Sequence, residues 1–242
     1  MNKEQVVAHV RGLDQIEQRT PAWYAAREQM LTASDAAAAI GDNPYESRKQ
    51  LLKKKVVPAK AFTGNFATAH GNKYEDEARF LFGRLYNLET WEVGLFRHLE
   101  YKWLGGSPDG IASDGSLIEI KCPLKRKITH EIPAYYYPQV QLCMEILNIP
   151  QCYFIQYQPE NIYQSAIIDV KVIPRSKEWF ETHFNEFDSF WKDVIYHRAH
   201  PEIEIIKPRK YTKKEKPPQL VSECLFTFDP EDVHSDEEDT SP

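Results

Sequence analysis

Three side chains able to do hydrolytic chemistry lie close together along this chain. Gly106-Ser-Pro-Asp-Gly110 sets one carboxylate at Asp109; Ile118-Glu-Ile-Lys-Cys-Pro123 sets a second at Glu119, with an amine at Lys121. Side chains alternate faces along a strand, so Glu119 and Lys121 point one way while Ile118 and Ile120 go to the core. Between the two segments stands Ser113-Asp-Gly-Ser116, whose Asp-Gly pair signals a hairpin turn that folds Asp109 back towards Glu119. Two converging carboxylates beside an ammonium suit a hard divalent cation with a water to be activated next to it. A solvated hairpin with ordinary surface charges is the plainer alternative, and the flanking glycines and prolines favour the chemical one.

Other elements must position this hairpin. Periodicity and turn signals predict helices near 3–12, 21–30, 34–40, 46–56, 67–85, 134–147 and 175–197. Strands are expected near 88–98, 102–112, 116–122, 151–158 and 164–173. A helix-rich beginning, clustered strands, a crossover helix and two returning strands imply an α/β protein whose central mixed β-sheet is flanked by helices. On the helix near 67–85, Glu75 shares a face with Ala78, Arg79 and Phe82. On the helix near 134–147, Gln139, Cys143 and Ile146 share a face, and Gln141 lies about 200° round from Gln139. Pro138 fits only a first turn, which moves that helix start towards Tyr137. Thr32 or Ser34 is a good N-cap ahead of Asp35–Ile40, Arg27 offers a planar fork for a phosphate, and Trp23 reads as a core residue beneath its helix.

At 242 residues and 42% apolar content the chain can bury one substantial core. Cys122, Cys143, Cys152 and Cys224 show no metal spacing and suit a reducing interior rather than a disulfide framework or a cysteine-ligated cluster. No apolar run approaches a membrane span, so a soluble, intracellular protein is expected. The net charge of −6 is concentrated in Asp229–Pro242, which holds seven acids and no Lys or Arg. The remainder is slightly basic, with six basic residues in Lys207–Lys216 and further clusters at Lys53–Lys55 and Lys121–Lys127. These suit phosphates, a solvated face or, for 207–216, a nuclear-import sequence. The expected organisation is a catalytic domain over 1–200, a basic, Pro-rich arm over 201–228 and a disordered acidic tail over 229–242. That tail could fold back as a DNA mimic or dock a basic partner.

The Asp109…Glu119-x-Lys121 constellation resembles the Pro-Asp…(Asp/Glu)-x-Lys (PD-(D/E)xK) nuclease superfamily, with its restriction-endonuclease-like core. Five blocks in order narrow the resemblance to lambda-phage-type exonucleases, also called YqaJ-type viral recombinases. They are Gln18-Arg-Thr-Pro-Ala-Trp-Tyr-Ala-Ala-Arg27 with Leu31-Thr-Ala-Ser-Asp35, His70-Gly-Asn-Lys-Tyr-Glu-Asp-Glu-Ala-Arg79, Ser-Pro-Asp-Gly, Glu-Ile-Lys-Cys-Pro, and Tyr137-Pro-Gln-Val-Gln141 leading to Cys152–Tyr157.

The resemblance implies a Mg²⁺-dependent DNA exonuclease, with Mn²⁺ able to substitute. Asp109, Glu119 and the main-chain carbonyl of Ile120 would hold metal, with Glu75 holding metal or a metal-bound water. Lys121 would activate the attacking water and Gln139 orient it. Arg27, Ser34 and Ser107 would hold a terminal 5′-phosphate. Duplex DNA would be degraded 5′→3′ from a free end, for viral recombination, replication or repair. A single-strand annealing partner, a ring of three copies and a location in the host cytoplasm or nucleus are likewise implied. An endonuclease or single-strand nuclease on the same fold, or a non-catalytic DNA-binding module, are the rival readings.

Overall fold

The structure, a computed structural model, describes residues 3–57, 66–203 and 205, with the backbone alone at 66–68. The chain divides into Met1–Lys207 and Pro208–Pro242, and the second unit lies outside the described residues. The basic run over Lys207–Lys216 and the acidic tail therefore also lie outside them.

Helix α1 (Lys3–Arg11) leads to α2 (Pro21–Glu28), whose start is written in its residues. Thr20 has extended backbone and accepts the Trp23 amide on its hydroxyl, while Pro21 stands where no N–H is needed. Strand β1 (Leu31–Thr32) precedes a 3₁₀ turn, Ala33–Asp35, and the five-residue α3 (Ala36–Ile40). The expected cap is absent: neither Thr32 nor Asp35 caps with its side chain, and Ser34 sits inside the 3₁₀ turn. Helix α4 (Arg48–Val56) opens on a reciprocal Ser47–Gln50 capping box, and α5 (Phe66–Tyr86) packs on the sheet face that carries Ile118 and Ile120.

The two long strands expected near 88–98 and 102–112 are each broken. Their pieces are β2 (Thr90–Trp91), β3 (Phe96–Arg97), β4 (Leu104–Gly106) and β5 (Gly110–Ala112). Pro108 cannot donate to a ladder, so the pairing stops between β4 and β5. Then follow β6 (Leu117–Lys121), a 3₁₀ turn at Ala134–Tyr136, α6 (Tyr137–Leu147), β7 (Gln151–Gln158), β8 (Ile167–Pro174) and α7 (Lys177–Ala199). Helix α6 begins at Tyr137 with Pro138 in its first turn, as the proline demands.

The strands form two sheets, β1-β4-β3 and β2-β5-β6-β7-β8. The larger is mixed: β6 runs parallel to β7 and antiparallel to β5. The parallel step needs a crossover, and α6 supplies it. Strand β6 is buried on both faces. Ile118 and Ile120 pack with Ala78 and Phe82 of α5, whereas Leu117 joins the larger core built on α3, α6 and α7. Among the described residues, no helix is long and apolar enough to cross a membrane.

Candidate active site

Gly115, at φ 85°, turns the β5–β6 hairpin, with Asp114 accepting the Ser116 amide at 3.0 Å. The turn brings Asp109 back onto β6: its amide donates to the Ile118 carbonyl (3.1 Å), and its Oδ2 accepts the Ile120 amide (2.6 Å). Gly110 is required beside it, because a Cβ there would lie 2.7 Å from the Trp91 carbonyl oxygen. Arg79 of α5 donates to the Asp109 carbonyl at 2.9 Å and so ties the helix to the hairpin.

Glu119 lies on the α6 face of β6 and is fully buried. Lys121, two residues on and on the same face, donates to Glu119 Oε1, and Gln139 of α6 donates to that same oxygen. The other oxygen, Oε2, is buried and has no hydrogen-bond partner. Gln141, on the opposite side of α6, bonds the Pro174 carbonyl and the Ser176 amide and plays no part here.

Glu75 comes in from α5. Arg19 donates to its Oε2 at 2.9 Å, and Arg79 stands 3.9 Å from its Oε1. Glu75, Asp109, Ile120, Lys121, Cys122 and Tyr136 line one cleft of about 500 Å³. Asp76 is exposed and pairs with Arg79, and Glu77 accepts a hydrogen bond from Tyr157. A larger hollow of about 860 Å³, lined by Phe80, Gly83, Arg84, Leu88, Glu89 and Trp91 among others, holds no comparable group of acids.

Burial, reinforced by mutual repulsion, raises the pKa values of the carboxylates. Glu75 is pushed up to about 7 by burial and by Asp109, against the opposing charges of Arg19 and Arg79. Glu119 is pushed up to about 8 by burial and by Asp109, with Lys121 opposing. Burial raises Asp109 as well, although Lys121 and the Ile120 amide pull the other way. Burial lowers the Lys121 pKa, but Glu119 and Asp109 outweigh it and hold it above the ordinary lysine value. Burial and the nearby carboxylates push the Cys122 thiol up to about 12, so it is no thiolate nucleophile.

Among the described residues, no three of His, Cys, Asp and Glu are gathered as a ready metal cage. Lys121, Gln139, Arg19 and the Ile120 amide occupy the carboxylates instead. The donor set still fits a divalent cation. It consists of hard carboxylate oxygens, two of them on acids with raised pKa values, and a buried Glu119 oxygen lacks any partner.

A second cluster includes Ser107, two residues before Asp109. Arg27 Nη2 donates to Ser34 Oγ at 2.8 Å, and the guanidinium stacks 4.3 Å from the centre of the Trp23 ring. The Trp23 indole N–H donates to Ser107 Oγ at 2.8 Å. Arg27 and Ser107, far apart in sequence, are thus joined through one tryptophan, and Ser34 is joined to them through Arg27. Behind them a buried ion pair, Asp35–Lys55 at 2.7 Å, braces the cluster, with Lys55 also donating to the Arg27 and Met30 carbonyls.

A family model for the YqaJ-like viral recombinase domain matches residues 22–150, a little over half of the chain. The chain belongs to this family. An uncharacterized protein of Acanthamoeba polyphaga mimivirus is 30% identical over 165 residues, covering 61% of this chain and 30% of the relative. A protein of African swine fever virus is 29% identical over 159 residues, covering 53% and 46%. The chain therefore matches less than half the length of these viral relatives. The fold matches the crystal structure of an alkaline exonuclease of Laribacter hongkongensis, solved with dAMP. The TM-score is 0.65 at 25% identity, covering 76% of this chain and 96% of that one. A phage-related exonuclease from Haemophilus somnus gives a TM-score of 0.53 at 17% identity, covering 71% and 96%.

Trp23, expected as a core residue, is half-buried against Ala26, Met30 and Leu95 and also bonds Ser107. Arg19 sits inside the Gln18–Arg27 block and Arg79 on the Glu75 face, and neither carries a functional expectation from sequence. What escapes the sequence is the partners of Arg19, Trp23 and Arg79, which lie 56, 84 and 30 positions away.

Proposed function

We propose that the protein is a divalent-metal-dependent deoxyribonuclease that removes nucleotides 5′→3′ from phosphorylated ends of linear duplex DNA. The observation that carries this reading is the buried Glu119, held on one oxygen by Lys121 and Gln139 and left without a partner on the other.

Asp109 and Glu119 would hold Mg²⁺, with the Ile120 carbonyl as a further ligand and Glu75 holding it directly or through water. Mg²⁺ supplies Lewis-acid stabilisation of the charge that develops on the phosphoryl oxygens. Glu119 and Asp109 hold the Lys121 pKa above the ordinary lysine value, and the ammonium would orient the attacking water by donation. Gln139 fixes Glu119 through one N–H and has its remaining amide atoms for the water. Arg27 and the two serine hydroxyls would grip the terminal 5′-phosphate and set which bond meets the acids. The relatives being viral, the products suit viral recombination or end processing.

The test is degradation of linear duplex DNA with 5′-phosphate or 5′-hydroxyl ends, in Mg²⁺ or EDTA, by the wild type and Lys121→Ala. Mg²⁺-dependent nucleotide release from phosphorylated ends, lost in the variant, is expected. Equal attack on both ends or on closed circles would remove the phosphate pocket. DNA binding without cleavage would leave only a binding module.

A further inference from the structure

Arg19 has left-handed backbone, φ 65°. The other two non-glycine residues with positive φ among those described, Asn87 and Asn148, follow the ends of α5 and α6, where asparagine is at home. Arginine is not at home there, and such a conformation persists only where its surroundings impose it, characteristically at functional sites. Its neighbours impose it. Gln18 donates to the carbonyls of Val93 (2.7 Å) and Pro108 (3.1 Å), pinning the segment to the residue before Asp109. On the other side Thr20 caps α2, and its hydroxyl donates to the Glu17 carbonyl at 2.8 Å.

Held at both neighbours, the kink aims Arg19 at the cleft, with Nη2 on Glu75. The side chain is 41% exposed, and among the described residues its hydrogen bond goes to Glu75. A guanidinium has five N–H donors, so most of its capacity faces outwards. Nor does Glu75 need Arg19 alone as a counter-charge. Arg79 is 3.9 Å away, half-buried, and fixed by the Asp109 carbonyl. Arg19 is therefore a strained, solvent-facing cation beside Glu75, on the same strap that leads into α2, which carries Trp23 and Arg27.

Resting on the nuclease reading above, we propose that Arg19 binds a backbone phosphate of the DNA strand in the cleft. It parks on Glu75 in the structure described here and turns its fork to the phosphate next to the scissile bond when that carboxylate is engaged elsewhere. Without such a cation, a polyanionic strand would meet the acidic cluster unscreened on this side. The fork, not merely the charge, suits the task, because it can hold two phosphate oxygens at once.

The experiment measures binding of 5′-phosphorylated DNA to the full chain across a series of salt concentrations. Ca²⁺ replaces Mg²⁺ so that the DNA stays intact, and Tm is measured without DNA for the same proteins. The wild type is compared with Arg19→Ala, Arg19→Lys and Arg19→Gly, and wild-type cleavage in Mg²⁺ is run alongside. Arg19→Ala and Arg19→Gly are expected to bind about tenfold more weakly, with the slope of log affinity against log salt shallower by about one, the mark of one lost phosphate contact. Arg19→Lys keeps the slope but loses part of the affinity. Arg19→Gly is expected to melt above Arg19→Ala, since glycine accepts the left-handed turn without strain. An unchanged slope in a protein that still cleaves would make Arg19 only the ion-pair partner of Glu75 and overturn the proposal. The reverse order of melting would overturn the strained-turn argument behind it. A wild type that neither binds nor cleaves DNA sinks this proposal and the nuclease reading together.

Discussion

Lys121 and Gln139 donate to the same oxygen of Glu119, and its other oxygen is buried with nothing to meet it. One strand residue and one crossover-helix residue thus hold a single carboxylate from one side only. Replacing Gln139 with Ala is expected to lower kcat ~10–100-fold with KM little changed, the usual cost of removing a group that orients a metal-binding ligand. Lys121→Ala, which removes a positioned donor, should cost ~10²–10³-fold. Steady-state kinetics on phosphorylated duplex ends would check both.

The raised carboxylates predict how stability varies with pH. Glu119 at about 8 and Glu75 at about 7 in the folded protein compare with 4.5 unfolded. Between those values the folded state binds more protons than the unfolded state, so stability falls as pH rises from about 5 to 8. With EDTA present, Tm should drop across that window. Millimolar Mg²⁺ should flatten the drop by neutralising the same charges. A Tm that rises over this range in EDTA would contradict the electrostatics of the site.

Trp23→Phe keeps a ring beneath Arg27 but deletes the indole N–H that holds Ser107. One neutral hydrogen bond is worth about 1 kcal/mol, so the preference for 5′-phosphate over 5′-hydroxyl ends should fall ~5-fold. Arg27→Ala removes a charged contact and should lower the same ratio ~10–100-fold. The ratio of kcat/KM on the two substrates is the measurement.

Asp35 and Lys55 are both almost fully buried and 2.7 Å apart, and Thr32 adds a hydrogen bond of 2.5 Å to the acid. Burial raises the Asp35 pKa, but Lys55 and Lys54 more than offset it and hold the group well below the usual carboxylate range. The stability it contributes is complete above the unfolded value of 3.8 and is lost as pH falls below it. Asp35→Ala strands a buried ammonium and should destabilise by about 3–5 kcal/mol in urea unfolding at neutral pH. Because Lys55 also holds the Arg27 carbonyl, the phosphate preference should weaken in parallel.

Local signals carried much of the site. Asp109, Glu119 and Lys121 were legible because a hairpin turn and the two-residue period of a strand act within a dozen positions. Gln139 and Gln141 separated cleanly because the helical period places them on different sides of α6, one on Glu119 and one on Pro174. Where the local signal competed with tertiary contacts, it lost. Ser34 looked like a helix cap, yet Arg27 and Thr32 take its hydroxyl instead. The segment near 88–98 looked like one strand, but its halves pair in different sheets, β2 with β5 and β3 with β4.

Residue types, their spacing and their short-range periods by themselves determined the mixed α/β architecture, the acid–acid–lysine hairpin and the membership of five ordered blocks. Only the tertiary structure decided that Trp23 joins Ser107 to Arg27, that Arg19 bends backwards onto Glu75, and that Glu119 keeps one unpartnered oxygen. Backbone turns and strand faces depend on neighbours a few residues away. The choice of a partner for a buried charge depends instead on which donors the packed fold brings within about 3 Å, and no local pattern encodes that.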